Sequence, residues 1–301
     1  MSSSLDRINQ IVHKIIQHHQ LPDQVLTRYS TGTNDVFAYG DDLVIKTYDP
    51  RYMEEQEIEV AVLKHLHNRL QIRIPTVVHH GMMEEGPYLI MTQVQGQNLD
   101  DHWKELDHHN KLYLIKELGA TIASVHQLSV QGLPDIYMNW HQFIEKQIKQ
   151  CVDRHRKLGL KETLLEEIPE YIKTYKHLLP LDFRPVLLTG EYNPFNLLVN
   201  RVENQWKLTG MIDFADCMIG FHEYDLLGPA VFMICGDREL MRALLLSYGY
   251  QEEELNDKLK KRLMLLLLLH RYSHLKAQIR IEGWEERVNS LAELEELLWC
   301  F

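Results

Sequence analysis

Apolar residues recur at helical spacing from Leu5 through Ile8, Ile11, Val12, Ile15 and Ile16, and Pro22 follows. An amphipathic helix is therefore predicted over residues 5–20. Beyond it the pattern becomes strand-like: Val25–Ser30, Val36–Tyr39 and Leu43–Tyr48 read as three strands, separated by turns at Thr31–Asn34 and Gly40–Asp42. Past Pro50 the helical period returns, with Ile58, Val62, Leu66 and Leu70 on one stripe of a helix spanning Met53–Leu70. Pro75 opens two more strands, Thr76–His80 and Pro87–Thr92, around Gly81 and Gly86.

After Gly96 the texture changes. Helices are expected over residues 101–128, 139–158, 161–178, 237–248, 252–282 and 284–299, with one hairpin, Leu197–Val199 and Leu208–Ile212, among them. The class is α+β. A small β-rich lobe with its preceding helix (1–94) comes first, and a larger helical lobe (95–301) carries the hairpin. The connection falls at Thr92–Leu99, and the lobes are expected to pack as one unit with a cleft between.

The hairpin is unusual at its flanks. A loop bearing Glu191 and Asn196 enters its first strand and Asp213 leaves its second, so acid, amide and acid should converge at one end. A carboxylate and an amide that ligate Mg²⁺, with a second carboxylate to orient a hydroxyl, are the parts phosphoryl transfer needs. A hairpin with polar end-caps would show the same residues. Lys46 poses a similar choice. Strand alternation puts it on the face of Val44, opposite Ile45, where a buried ammonium needs a counter-ion. Glu59, on the following helix, could supply it; an edge lysine with a surface glutamate is the alternative.

Composition narrows the class. With 32 basic against 43 acidic residues the formal charge is −11, which argues against a nucleic-acid partner and is compatible with a cationic small molecule. Cys151, Cys217, Cys235 and Cys300 are scattered with no CxxC spacing, as in a protein with reduced thiols. The first residues lack the apolar core of a secretory signal, and Leu263–Leu269 is too short to span a bilayer. A cytoplasmic protein with no membrane partner is expected. Among seventeen histidines, the pairs His18-His19, His65-x-His67, His79-His80 and His108-His109 lack the i, i+4 spacing with a flanking Glu of a zinc enzyme, and no GxxxxGK[ST] motif occurs.

Gly-Glu-Tyr-Asn-Pro-Phe-Asn-Leu-Leu-Val (190–199), Gly-Met-Ile-Asp-Phe-Ala-Asp (210–216) and Glu-Tyr-Asp-Leu (223–226) occur in that order. Together with the lobe order they resemble the aminoglycoside phosphotransferase family and its choline-kinase relatives, with the protein-kinase-like fold, over roughly residues 25–275. The resemblance implies an ATP- or GTP-dependent, Mg²⁺-dependent kinase acting on a hydroxyl of a small molecule, with aminoglycosides and amino alcohols as candidate acceptors. It assigns Lys46 to the phosphates, Glu59 to holding Lys46, and Asn196 and Asp213 to Mg²⁺. Gly32 and Thr33 would lie over the phosphates, and the backbone of Thr92, Gln93 and Val94 would meet the base. Glu191 would meet the acceptor. Asp225 and His126 would be structural.

The chain departs from the family pattern at two positions: Glu191 stands where aspartate is usual, and Thr189 where histidine is usual. A catalytic group displaced by about 1 Å can cost on the order of 10²-fold in rate. Two outcomes follow: a kinase with an adjusted pocket, or a nucleotide-binding pseudokinase or scaffold. Retained Lys46, Asn196 and Asp213 favour the first. Acidic candidates for a cationic acceptor are Asp216, Glu223, Asp237, Glu239, Glu282, Glu285 and Glu286.

Overall fold

A computed structural model of the chain describes residues 2–29, 34–133 and 139–301, with side chains from Arg7 onward. The chain divides into two compact units. One is Met1–Gln95 with Gly210–Asp216, and the other is Gly96–Thr209 with Cys217–Phe301.

The first unit is built on a five-stranded sheet. Its strands are β1 (Leu26–Arg28), β2 (Asp35–Tyr39), β3 (Leu43–Thr47), β4 (Val77–Met83) and β5 (Gly86–Thr92), in the spatial order β1-β2-β3-β5-β4. All pairings are antiparallel, and β3 lies between β2 and β5, with Lys46 opposite Val36 and Leu89. Helix α1 (Ser2–His18) covers one face: Val12 and Ile15 are buried with Phe37, Tyr39, Ile45, Tyr88 and Ile90. These sheet residues are two apart along each strand, which is why they share a face. The alternate residues of β3, Val44 and Lys46, therefore look away from α1. Helix α2 (Met53–Leu66) follows and buries Glu59, Val62, Leu63 and Leu66. It stops four residues short of the predicted Leu70, because His67 turns to extended backbone and Asn68 adopts φ 57°.

The second unit contains α3 (Leu99–Trp103), α4 (His108–Gln127), α5 (Trp140–Lys157), α6 (Glu162–Tyr175), α7 (Leu227–Pro229), α8 (Arg238–Tyr248), α9 (Asp257–Leu269), α10 (Leu275–Gln278), α11 (Trp284–Arg287) and α12 (Leu291–Leu298). Three predicted helices are broken in the structure. Asp107 caps the Asn110 amide and separates α3 from α4 within 101–128. Asn256 caps Lys258 and Leu259 at the start of α9, and His270 leaves it in extended backbone, so 252–282 is not one helix. Ser290 caps Glu293 and splits 284–299. Each break is a side chain that satisfies amides a helix interior would not leave free.

The hairpin forms as β8 (Leu197–Val202) and β9 (Gln205–Met211), joined by β6 (Gln97–Asn98) on the free edge of β8. A further pair, β7 (Val186–Leu188) with β10 (Met218–Gly220), is antiparallel and was not expected. It brackets the polar loop 189–196 on one side, as β8 does on the other.

Candidate functional site

Lys46 is 4% exposed and Glu59 fully buried. Lys46 Nζ donates to Glu59 Oε2 at 2.8 Å and to Asp213 Oδ1 at 2.9 Å. Burial by itself drives the ammonium toward its neutral form, but the charges of Glu59 and Asp213 outweigh it and the pKa is raised. Lys46 is thus a fixed cation. Glu59 is saturated: besides Lys46 it accepts the Tyr48 hydroxyl on Oε2 at 2.6 Å and the Phe214 amide on Oε1 at 3.3 Å. Burial first, and the Glu59 charge second, push the Tyr48 phenol well above its usual value, so it stays a donor. The Tyr48 ring also lies 5.3 Å from Lys46 Nζ.

Asp213 reaches Lys46 through an unusual backbone, with φ 64°. Asp tolerates this left-handed region better than most residues, and strain of about 1–3 kcal/mol is typical of functional positions. The segment is fixed by the Met211 amide on the Arg73 carbonyl at 2.9 Å. The Asp213 side chain is 46% exposed, and Oδ2 accepts no hydrogen bond among the described residues. A carboxylate oxygen of this kind suits Mg²⁺, which takes one or two carboxylates and keeps its other positions for water and phosphate. The described residues hold no cluster of three His, Cys, Asp or Glu that would cage a metal.

At the end of β5 much of the backbone is committed. The Thr92 amide donates to the Thr76 carbonyl at 2.9 Å and the Gln93 amide to the Asp42 carbonyl at 2.7 Å. The Val94 N–H has no partner among the described residues. Gly32 and Thr33 lie outside the described residues.

In the second unit the structure brings Glu191 and Asn196 together on one loop. Glu191 Oε2 accepts the Asn196 side-chain amide at 3.1 Å and the Asn193 side-chain amide at 2.6 Å. Asn193 also folds the loop, accepting the Phe195 amide at 3.0 Å on its side chain and the Asn196 amide at 3.2 Å on its carbonyl. The loop entrance is clamped by Asp225, 2% exposed, whose two oxygens accept the amides of Thr189 (2.9 Å) and Gly190 (2.8 Å). His126 Nε2 stands 3.1 Å from the same carboxylate. Gly190, at φ 71°, makes the turn that lets both amides point one way.

A family model described as "Phosphotransferase enzyme family" matches residues 26–259, most of the chain. The chain belongs to that family. Its fold is found in solved relatives. The GDP and kanamycin complex of APH(2'')-IIIa superposes with a TM-score of 0.72 at 21% identity, over 95% of this chain and 97% of that one. The streptomycin–ATP complex of APH(2'')-IIa gives 0.60 at 19%, over 86% and 89%. The macrolide 2'-phosphotransferase MphH of Brachybacterium faecium, an apoenzyme, gives 0.61 at 16%, over 90% and 96%. The protein-kinase-like α+β fold is therefore the fold of this phosphotransferase-family chain.

Within the family chain, several acids suggested for a cationic acceptor prove to have partners of their own. Glu223 is fully buried and paired by both Nε and Nη2 of Arg262, with the Tyr250 hydroxyl 2.8 Å from Oε1. Burial raises its pKa, against the pull of Arg262. Asp237 caps the Leu240 amide and meets His108 at 3.2 Å, while Glu239 lies 3.7 Å from the same ring. Glu285 pairs with Lys276 at 3.5 Å. Sequence reasoning missed Tyr48 and Asn193. Tyr48 gave no signal, since its partner is eleven residues away across a fold. Asn193 did: an Asn-Pro step two residues after Glu191 marks a side chain that closes a turn.

Proposed function

We propose that this phosphotransferase-family protein moves the γ-phosphoryl group of ATP or GTP to a hydroxyl of a small molecule. The observation that carries the reading is the Lys46 ammonium, buried and charged, held by Glu59 behind it and by the half-exposed Asp213 carboxylate. Burying an ion pair adds little stability for its own sake, so a purely structural role explains it poorly. Lys46 neutralises phosphate charge and Glu59 keeps it in place. The Val94 N–H donates to the base. Asp213 and Asn196 are the residues assigned to Mg²⁺, which when bound supplies positive charge to phosphate oxygens. Glu191 orients the acceptor hydroxyl, its own carboxylate fixed by the Asn193 and Asn196 amides. Phosphoryl transfer is largely dissociative, so orientation matters more than proton removal. Aminoglycosides, amino alcohols and sugars are the acceptor classes to try first, since solved relatives of the same fold hold kanamycin or streptomycin.

One observation favours a second reading, nucleotide binding without transfer: Glu191 Oε2 is already engaged by two amides. The test is thermal shift with ATP or GTP and Mg²⁺, followed by nucleotide consumption against an acceptor library. Absence of nucleotide-dependent stabilisation sinks both readings; stabilisation without turnover leaves the second. Glu191→Asp then reports whether the loop is built around glutamate, in which case transfer falls.

A further inference from the structure

The clamp on the loop before Glu191 does not end at Asp225. His126 is 4% exposed, and its two ring nitrogens face different partners: Nε2 the Asp225 carboxylate at 3.1 Å, Nδ1 the Tyr248 hydroxyl at 2.9 Å. A carboxylate only accepts, so Nε2 carries the hydrogen. In the neutral ring Nδ1 then accepts, and Tyr248 donates to it. Tyr248 is held in turn. Its ring stacks on His222 at 5.7 Å and 6°, and His222 Nε2 lies 3.0 Å from the Tyr250 hydroxyl, which donates to Glu223. The charged groups facing this chain are Asp225 on one side, Glu223 with Arg262 on the other, and Arg184, which donates to the His126 carbonyl at 3.4 Å. Tyr248 arrives here because α4 and α8 approach closely at Gly119, where a Cβ would stand 2.1 Å from Ser247 Oγ and 2.6 Å from the Leu244 carbonyl.

We propose that Tyr248 is a positioning residue for the Glu191 loop: its hydroxyl, donating to Nδ1, anchors the His126 ring and reinforces the Nε2–H tautomer that Asp225 selects, and His126 in turn holds the Asp225 carboxylate on the Thr189 and Gly190 amides. The catalytic consequence rests on the function proposed above; the structural consequence does not.

Tyr248→Phe removes the hydroxyl and keeps the ring. ¹⁵N spectra of the histidines should show His126 as a single Nε2–H tautomer in the native protein and a shifted or mixed state in the variant. Hydrogen exchange at Thr189 and Gly190 should quicken about tenfold, while amides of α9 keep their rates. With an active acceptor in hand, kcat should fall several-fold at unchanged nucleotide KM. In a His126→Gln background, where the amide reaches Asp225 without a tautomer to set, Tyr248→Phe should no longer alter exchange. Unchanged His126 signals, an equal quickening in α9, or the same effect in both backgrounds would overturn the proposal. Lack of turnover by the native protein would count against the proposed function and leave these readouts intact.

Discussion

Glu59 shows how much one side chain settles. It holds three donors from two segments: Lys46 on β3 with Tyr48 just after it, and the Phe214 amide. Truncating one partner of a buried pair typically costs about 3–5 kcal/mol. Glu59→Ala should lie near the lower end, because Lys46 keeps Asp213, and urea unfolding measures it. Tyr48→Phe should cost about 1.5–3 kcal/mol, as for a lost hydrogen bond to a charged group. Asp213→Asn leaves a side chain that tolerates the left-handed backbone, so the melting temperature without ligand should change little. The stabilisation by nucleotide and Mg²⁺ should instead shrink by several degrees; an undiminished shift would remove Asp213 from the metal assignment. Lys46 and Glu59 were legible as a pair because strand alternation and one helical stripe point them inward. The third and fourth members were not, since no local pattern links Tyr48 or Phe214 to Glu59.

Elements tell a similar story through their ends. The strand-like runs Val36–Tyr39, Leu43–Tyr48 and Pro87–Thr92 become β2, β3 and β5, and it is the structure that lays the amphipathic α1 on one face of their sheet. The long apolar stretch after residue 252 predicted one helix, but Asn256 and His270 bound α9 to Asp257–Leu269. Periodicity reports which face is buried; caps decide where the helix stops, and a cap is one side chain. Gly119 makes a sharper prediction. In an exposed helix Gly→Ala gains about 1 kcal/mol. Here the added Cβ meets Ser247 Oγ and the backbone carbonyl of Leu244, and overpacking typically costs about 1–3 kcal/mol. The backbone atom cannot swing aside, so Gly119→Ala should lower the melting temperature. Ser247→Gly should recover only part of the loss.

At the scale of the whole molecule, buried neutral histidines set the response to acid. Burial pushes His222 and His270 down to about 3 and His155 to about 4. The unfolded chain binds these protons near the ordinary value of about 6.5, so between that pH and the depressed values it binds more than the folded chain. Their contribution is complete above about pH 6.5 and is lost as pH falls toward 4. Glu223, with its pKa raised by burial, works in the opposite sense just above the ordinary carboxylate range. The urea midpoint should therefore drop between pH 7 and pH 5, and His270→Phe, which can keep the stack on Tyr224, should flatten the slope. A midpoint flat over that range would mean that the unfolded chain keeps these rings neutral as well.

The sequence by itself determined the family and the α+β order and nominated residues for phosphate chemistry, because periodicity and motif order are properties of neighbours along the chain. Only the tertiary structure decided that Lys46 is paired with two carboxylates that raise its pKa, and that Asp213 sits in left-handed backbone. It alone placed Glu191 under two amides, and matched Glu223 to Arg262. The Lys46–Asp213 and Glu223–Arg262 pairs are meetings of residues far apart in sequence, and their energies depend on burial and on distances of about 3 Å that no local pattern encodes.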